Sequence, residues 1–315
     1  MQILLSDELL DFVLAAKLDV FLEMYGGENH QPLDVPRAIR ERRLAMQGDL
    51  NVFLRFLRIN EAADLLLKEG DAATAERLYQ LAASIDSSHR PALEGLSRLA
   101  EVRGEHERHS DLLGRVSALA LDRKERAQLL WKRGRLLREH LDRDLDAYRA
   151  FKEAVAADPT LRPAIAELRA MAEERADWAV AIEQYRREIG LAQENSERAR
   201  LFFQLGELYE LRLLDVPEAL TAYEESADLL SPENLESAPW ERLVRLYAEQ
   251  GRLHDAAEAG VELARTFVRA GEPDPAAHVL LRAAALYQRS SDNPSARHVL
   301  DEVAALGPAY VQRSH

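Results

Sequence analysis

Trp240-Glu241-Arg242-Leu243-Val244-Arg245-Leu246-Tyr247-Ala248-Glu249-Gln250-Gly251-Arg252-Leu253-His254-Asp255-Ala256-Ala257-Glu258-Ala259-Gly260 is the stretch on which the fold turns. Trp240, Leu243, Val244 and Tyr247 recur at three- and four-residue steps, the spacing of one helical face. Gly251 then breaks the helix, and Ala256 and Gly260 lie four apart on a second one. Small residues there let two helices approach closely, and the aromatic fills the space between them.

Working outward, the same order returns. Gly70-Asp71 and Gly104-Glu105 are turn signals 34 residues apart, and Ala75, Tyr79 and Ala82 follow the first on one face. Gly134, Ala147 and Phe151 match Gly206, Ala219 and Tyr223, each pair 72 residues apart, or two periods of 36. Pro159 and Pro232 match with one residue inserted. Ile165, Leu168, Trp178, Ala181 and Tyr185 carry the pattern, as do Leu280, Ala284, Tyr287, Ala296, Leu300 and Pro308. Tyr287 follows Tyr247 by 40 residues, so a longer junction is expected between those units. Leu141–Asp144 and Leu213–Pro217 hold an extra residue between helices, which predicts longer loops. Prolines 91, 159, 163, 232 and 308 sit at unit junctions, where they stop one helix and suit the first turn of the next.

This order of Trp, Leu, small residue, Tyr, Gly turn and Ala resembles the tetratricopeptide repeat (TPR), a helix–turn–helix of 34 residues. About seven units over residues 56–310 are similar to a bacterial-type array. The resemblance implies an all-α, right-handed superhelical solenoid of antiparallel helix pairs. Each pair cannot bury its apolar side alone, and stacking builds one continuous core.

Residues 1–55 depart from the pattern. Ser6 as N-cap and acidic Asp7 and Glu8 start a helix to about Met24, residues 26–32 form a loop, and Asp34 and Pro36 restart a helix. A non-repeat N-terminal capping hairpin is expected. The first helix carries a second apolar stripe, Leu10, Leu14, Leu18 and Phe21, which predicts self-association there. At the other end Gly307–Tyr310 reads as the start of another helix before the sequence stops at His315, so an exposed last pair is a second place for a homo-oligomer contact.

Composition sets the limits. The chain has 315 residues, 47% hydrophobic and 30% charged, with a formal net charge of -14. That supports a real core and disfavours general attraction to nucleic acid or anionic membranes. It has no cysteine, which excludes disulfides, thiol nucleophiles and Cys-based metal sites. Arginine far outnumbers lysine, as a GC-rich bacterial genome would encode. No export signal or spanning segment is visible, and the expected compartment is the cytoplasm.

No phosphate loop, HExxH, GxSxG or calcium loop occurs, so no enzyme activity and no cofactor is expected. Glu105, His106, Glu107, His109 and Asp111 form the best metal candidate. They lie around an inter-helix turn among solvated charges, without a fixed fourth ligand, and no metal site is assigned.

The resemblance implies a concave groove lined by the first helix of each pair, holding a peptide or helix of another protein. Its positions carry over to Asn60, Asp64 and Leu67; Glu94, Arg98 and Glu101; Trp131, Arg135 and Arg138; Ala166, Ala170 and Glu173; Phe203, Glu207 and Glu210; Glu241, Arg245 and Ala248; Leu281, Ala285 and Gln288. Arg98, Trp131, Arg135, Arg138, Phe203, Glu207, Glu241 and Arg245 are the partner-binding candidates, because arginine and aromatics dominate interface hot spots. Leu130 and Phe202 beside the two aromatics are expected to do the packing. Chaperone-binding members clamp a carboxylate with Lys and Asn, and only Asn60 fits that set. A scaffold or adaptor is the reading adopted. The alternatives are a regulatory module binding nucleic acid or a ligand through the Arg-rich segment 34–59, and a self-assembling structural subunit.

Overall fold

The computed structural model describes residues 59–68, 70–230 and 236–307. The N-terminal hairpin, with Leu10, Leu14, Leu18 and Phe21, lies outside the described residues, as do Pro232, Pro308 and the segment after Gly307. The described residues form fourteen α-helices and no strand. They are α1 (Ile59–Lys68), α2 (Ala72–Ile85), α3 (Arg90–Arg103), α4 (His106–Leu119), α5 (Arg123–Glu139) and α6 (Asp144–Ala157) in one compact unit, which ends at Asp158. A second unit, from Pro159, holds α7 (Arg162–Glu174), α8 (Trp178–Leu191), α9 (Asn195–Leu208), α10 (Val216–Asp228), α11 (Ala238–Glu249), α12 (Leu253–Arg269), α13 (Pro273–Arg289) and α14 (Asn293–Leu306).

Within each unit consecutive helices pack together, and α1 also touches α3, the first helix of the next pair. The cores are the predicted small-and-aromatic faces. Ala63, Ala75, Tyr79, Ala147, Phe151, Ala219 and Tyr223 are fully buried. Burying side chains the size of Tyr79 or Phe151 contributes on the order of 1.5–3 kcal/mol each. Gly134 and Gly206 exist for this packing. A methyl on Gly134 would stand 2.6 Å from the Phe151 ring, and one on Gly206 2.7 Å from the Tyr223 ring. Gly95 does the same between two pairs of the first unit, facing Tyr79 of the preceding pair at 2.4 Å.

The turns inside the pairs share one geometry. After the first helix one residue takes the left-handed conformation, and the next N–H returns to a carbonyl of the helix's last turn, satisfying it. That residue is Gly70, Gly104, Asp142, Ala176, Leu214, Gly251 or Ser291. In five turns the closing bond spans five residues, as from Arg252 N–H to the Tyr247 carbonyl at 2.9 Å. In the two turns with the extra residue it spans six, from Arg143 to Leu137 and from Asp215 to Tyr209, both 2.9 Å. The expected longer loops are therefore a widened helix end. In the second case it is a π-helical turn, Tyr209–Leu213. The longer junction expected before Tyr287 is also spent on helix. Only Ala270, Gly271 and Glu272 separate α12 from α13, and both helices have grown to 17 residues.

The last pair, α13–α14, carries no exposed large hydrophobic residue among the described residues. Its outer positions, Arg297, His298, Asp301 and Ala304, are polar or small. The exposed large apolar side chains of the second unit are instead Leu211, Leu213 and Leu214 around the π-turn, and Val268.

Candidate functional site

In the first unit the first helices α3 and α5 form the walls of a groove of about 610 Å³, with α4 as its floor. Arg98, Trp131 and Arg135 line it, together with Glu94 and Glu101, so these carried-over groove positions do converge. Arg138 is half-buried and does not line it. Leu113 and Val116 supply the apolar floor.

Trp131 is partly buried, and its indole N–H is buried without a hydrogen-bond partner. Leu130 beside it is 2% exposed and does the packing, as expected. The Arg135 guanidinium lies 5.5 Å from the centre of the indole while donating to Glu139 at 2.8 and 3.0 Å. Arg98 reaches back to the preceding pair and donates to Asp64 at 2.7 Å. The same Asp64 oxygen accepts from the Tyr79 hydroxyl at 2.5 Å. Burial, and then the Asp64 carboxylate, push the Tyr79 hydroxyl well above the usual phenol range. The groove thus holds its arginines already engaged.

The second unit contains Phe203, Glu207, Glu241 and Arg245. Phe203 leans on the Tyr223 ring, with centroids 5.4 Å apart. Here Leu201, 2% exposed, does the packing assigned to Phe202, which is only half-buried. Glu207 accepts from Arg242 at 3.1 Å, and Arg245 pairs with Glu210. Glu210 also accepts from the Tyr223 hydroxyl at 2.8 Å. It repeats the Asp64 arrangement: a carboxylate held by its own pair's tyrosine and by the next pair's arginine. Glu241 is exposed and accepts from Ser237 Oγ at 2.7 Å.

One site escaped the sequence reading. Arg169 stands where other pairs place the small residue against the ring. It lies 4.5 Å from the centre of Tyr185, its Nε donates to Glu188 at 2.5 Å, and one Nη donates to Glu173 at 2.8 Å and to the Tyr185 hydroxyl at 3.2 Å. Burial pushes the Tyr185 hydroxyl up to about 12. His109 is the other departure: it takes the place of the alanine that six other pairs bury, and it lines the groove.

The metal candidate around His106 does not gather. Among the described residues, the group whose ligand atoms lie within 4.8 Å of one another is His254, Asp255 and Glu258, on the surface of α12. Asp255 there is already held by Arg252 at 2.5 Å. No described helix is long and apolar enough to cross a membrane.

No family model and no curated protein matches the sequence. Solved structures resemble it at low identity. MamA is 20% identical, with a TM-score of 0.36, over 53% of this chain and 93% of that chain. YrrB, described as a TPR protein with an unusual peptide-binding site, is 16% identical, with a TM-score of 0.39, over 58% and 92%. The C-terminal part of a TPR repeat-containing protein from Cytophaga hutchinsonii is 14% identical, with a TM-score of 0.39, over 80% and 98%. By helix pairing, period and turn geometry, the described residues of each unit fold as successive tetratricopeptide-like helix pairs.

Proposed function

We propose that the protein is a non-catalytic interaction module, and that the groove between α3 and α5 receives a peptide or helix of another protein with Trp131 as its anchor. The observation that carries this is the indole itself: a large aromatic left half-open in a concave wall, with an apolar floor below it and its N–H unpaired. Aromatic anchors in such places carry most of the energy of an interface. Arg98 and Arg135 are held by Asp64 and Glu139, so an acidic partner group must displace an internal carboxylate. Affinity then comes chiefly from the apolar anchor, and the arginines select among partners. Arg138 in the first unit, and Phe203, Glu207, Glu241 and Arg245 in the second, are proposed as further contact residues.

The test is calorimetry with the stoichiometric partner recovered by the wild-type protein. Trp131→Ala should weaken binding by about 2 kcal/mol or more. Unchanged affinity with an unchanged circular-dichroism spectrum would move the site elsewhere. Asp64→Asn, which frees Arg98, should tighten the binding of an acidic partner. Self-association through Leu10, Leu14, Leu18 and Phe21 is a separate proposal. Light scattering should find a dimer that Leu14→Glu or Phe21→Glu dissociates, and a monomer at high concentration rejects it.

A further inference from the structure

His254, Asp255 and Glu258 stand at positions i, i+1 and i+4 in the first turns of α12, so their side chains share one patch of helix surface. One ligand atom from each lies within 4.8 Å of the others. The imidazole is held from two sides. Its Nε2 faces Asp292, the N-cap of α14, at 3.3 Å. Its ring meets the Tyr287 ring of α13 in a T, with centroids 5.3 Å apart and planes at 76°. Asp292 is itself fixed, accepting the Ser295 N–H at 3.2 Å. Nδ1 is thereby turned toward Glu258, at 3.8 Å. We propose that His254 Nδ1, Asp255 and Glu258 bind one divalent transition ion of the zinc class, with Asp292 as the outer carboxylate that orients the imidazole. The site lies in the second unit, apart from the groove.

The ligand set decides the class of ion. An imidazole nitrogen with two carboxylate oxygens suits zinc and its neighbours, whereas magnesium and calcium take oxygen ligands. Zinc bonds of about 2.0–2.2 Å bring ligand atoms to roughly 3.5 Å from one another. The exposed Glu258 side chain supplies that closure by changing rotamer. Water fills the fourth position, as in open zinc sites. A metal-bound histidine donates its other ring N–H to a carboxylate or carbonyl, which fixes the tautomer, and Asp292 stands where that acceptor is needed. Arg252 holds Asp255 through Oδ2 and leaves Oδ1 for the ion, while its guanidinium lies over the Tyr247 ring, 4.3 Å from the centre. A helix start opposes a cation, and the three carboxylates around the imidazole offset this.

His298 and Glu302 are the contrast. They too are i, i+4 neighbours, at 3.4 Å, but no third ligand joins them among the described residues. An ion in the first set ties the start of α12, through His254 and Asp292, to the start of α14. Filling the site therefore stiffens the last two pairs of the second unit.

The test uses the whole chain after washing with a chelator. Zinc followed by calorimetry, and cobalt followed by its visible absorption, should each show one saturable equivalent, and zinc should raise the thermal midpoint. His254→Ala should remove that equivalent. Asp292→Asn keeps all three ligands and still caps α14, and should weaken binding by about 10–100-fold. Glu258→Gln changes only an exposed side chain and should weaken it by about tenfold or more. His298→Ala should leave it unchanged. No saturable uptake by the folded wild-type chain overturns the proposal. So does an equivalent that survives both His254→Ala and Glu258→Gln, or one that magnesium displaces at equal concentration.

Discussion

A methyl placed on Gly95 would meet the Tyr79 ring at 2.4 Å, and one on Gly134 would meet Phe151 at 2.6 Å, with both rings fully buried. Neither ring has room to retreat, so Gly95→Ala and Gly134→Ala should each cost about 1–3 kcal/mol in urea denaturation. Gly190 is the control. Nothing lies within 4 Å of its missing Cβ, and Gly190→Ala should stabilise by about 0.5–1 kcal/mol. The contrast separates steric need from helix propensity. Arg169 shows the limit of reading residue types. Small residues flagged the close crossings because they recur, and an arginine at the same register reads as a break in the pattern. Its guanidinium instead covers the Tyr185 ring and is bound by Glu173 and Glu188. Arg169→Ala leaves those carboxylates without their cation and should cost on the order of 3 kcal/mol, with Arg169→Lys recovering only part of it.

Helix ends were legible in composition only where glycine marked them. Gly70, Gly104 and Gly251 announced their turns, but Asp142, Ala176, Leu214 and Ser291 adopt the same left-handed backbone without a compositional signal. Leu214 is the least suited of the four: its φ is 56° and its side chain is 78% exposed. A left-handed residue with a Cβ costs about 1–2 kcal/mol. Leu214→Gly should therefore raise the thermal midpoint, by up to about 1 kcal/mol of stability after the entropy that glycine adds to the unfolded chain. A lower midpoint would mean that the exposed leucine makes a contact worth more than its strain. The inserted residues were visible by counting, but their fate was not, because a loop and a widened helix end use the same number of residues.

Across the array, adjacent first helices are tied by pairs 34 or 35 residues apart: Asp64 with Arg98, Arg90 with Glu125, Arg162 with Glu197, Glu207 with Arg242, and Glu210 with Arg245. The signal was present in the sequence as opposite charges one period apart, and for Asp64–Arg98 and Glu210–Arg245 both charges stand at groove positions. Reading the groove for a partner's charges hid the fact that the chain supplies its own. Both partners of the first four pairs are partly exposed, so each of those contributes little and is weakened by salt, whereas the Glu210 side chain is only 9% exposed. Glu76 too is mostly buried, between Arg103 and Arg108 at 2.5 and 2.6 Å. Burial pushes its carboxyl up, but the two arginines outweigh that and hold it below the usual range. Hydrogen bonds from Ser88 and from Ser295 lower Asp86 and Asp292. Stability from these groups is complete above their ordinary values of 4.5 and 3.8 and is lost as pH falls through the lowered ones. His109 acts earlier. Its lowered pKa means that the unfolded chain takes the proton first, so stability declines as pH drops below 6.5. A plot of thermal midpoint against pH should show a shallow early fall and a steeper acid one, and His109→Ala should remove only the first.

The two six-residue closures at Arg143 and Asp215 bear on how such a chain can change over generations. An added codon at either place is absorbed within one turn of backbone, and the next helix still brings Phe151 or Tyr223 onto the glycine opposite. Gain or loss of a residue there is a tolerated mutation rather than a frame error in the architecture. Kinship between such arrays is therefore better judged by aligning each ring with its facing glycine than by matching chain positions, where a single slip makes a true relative look foreign.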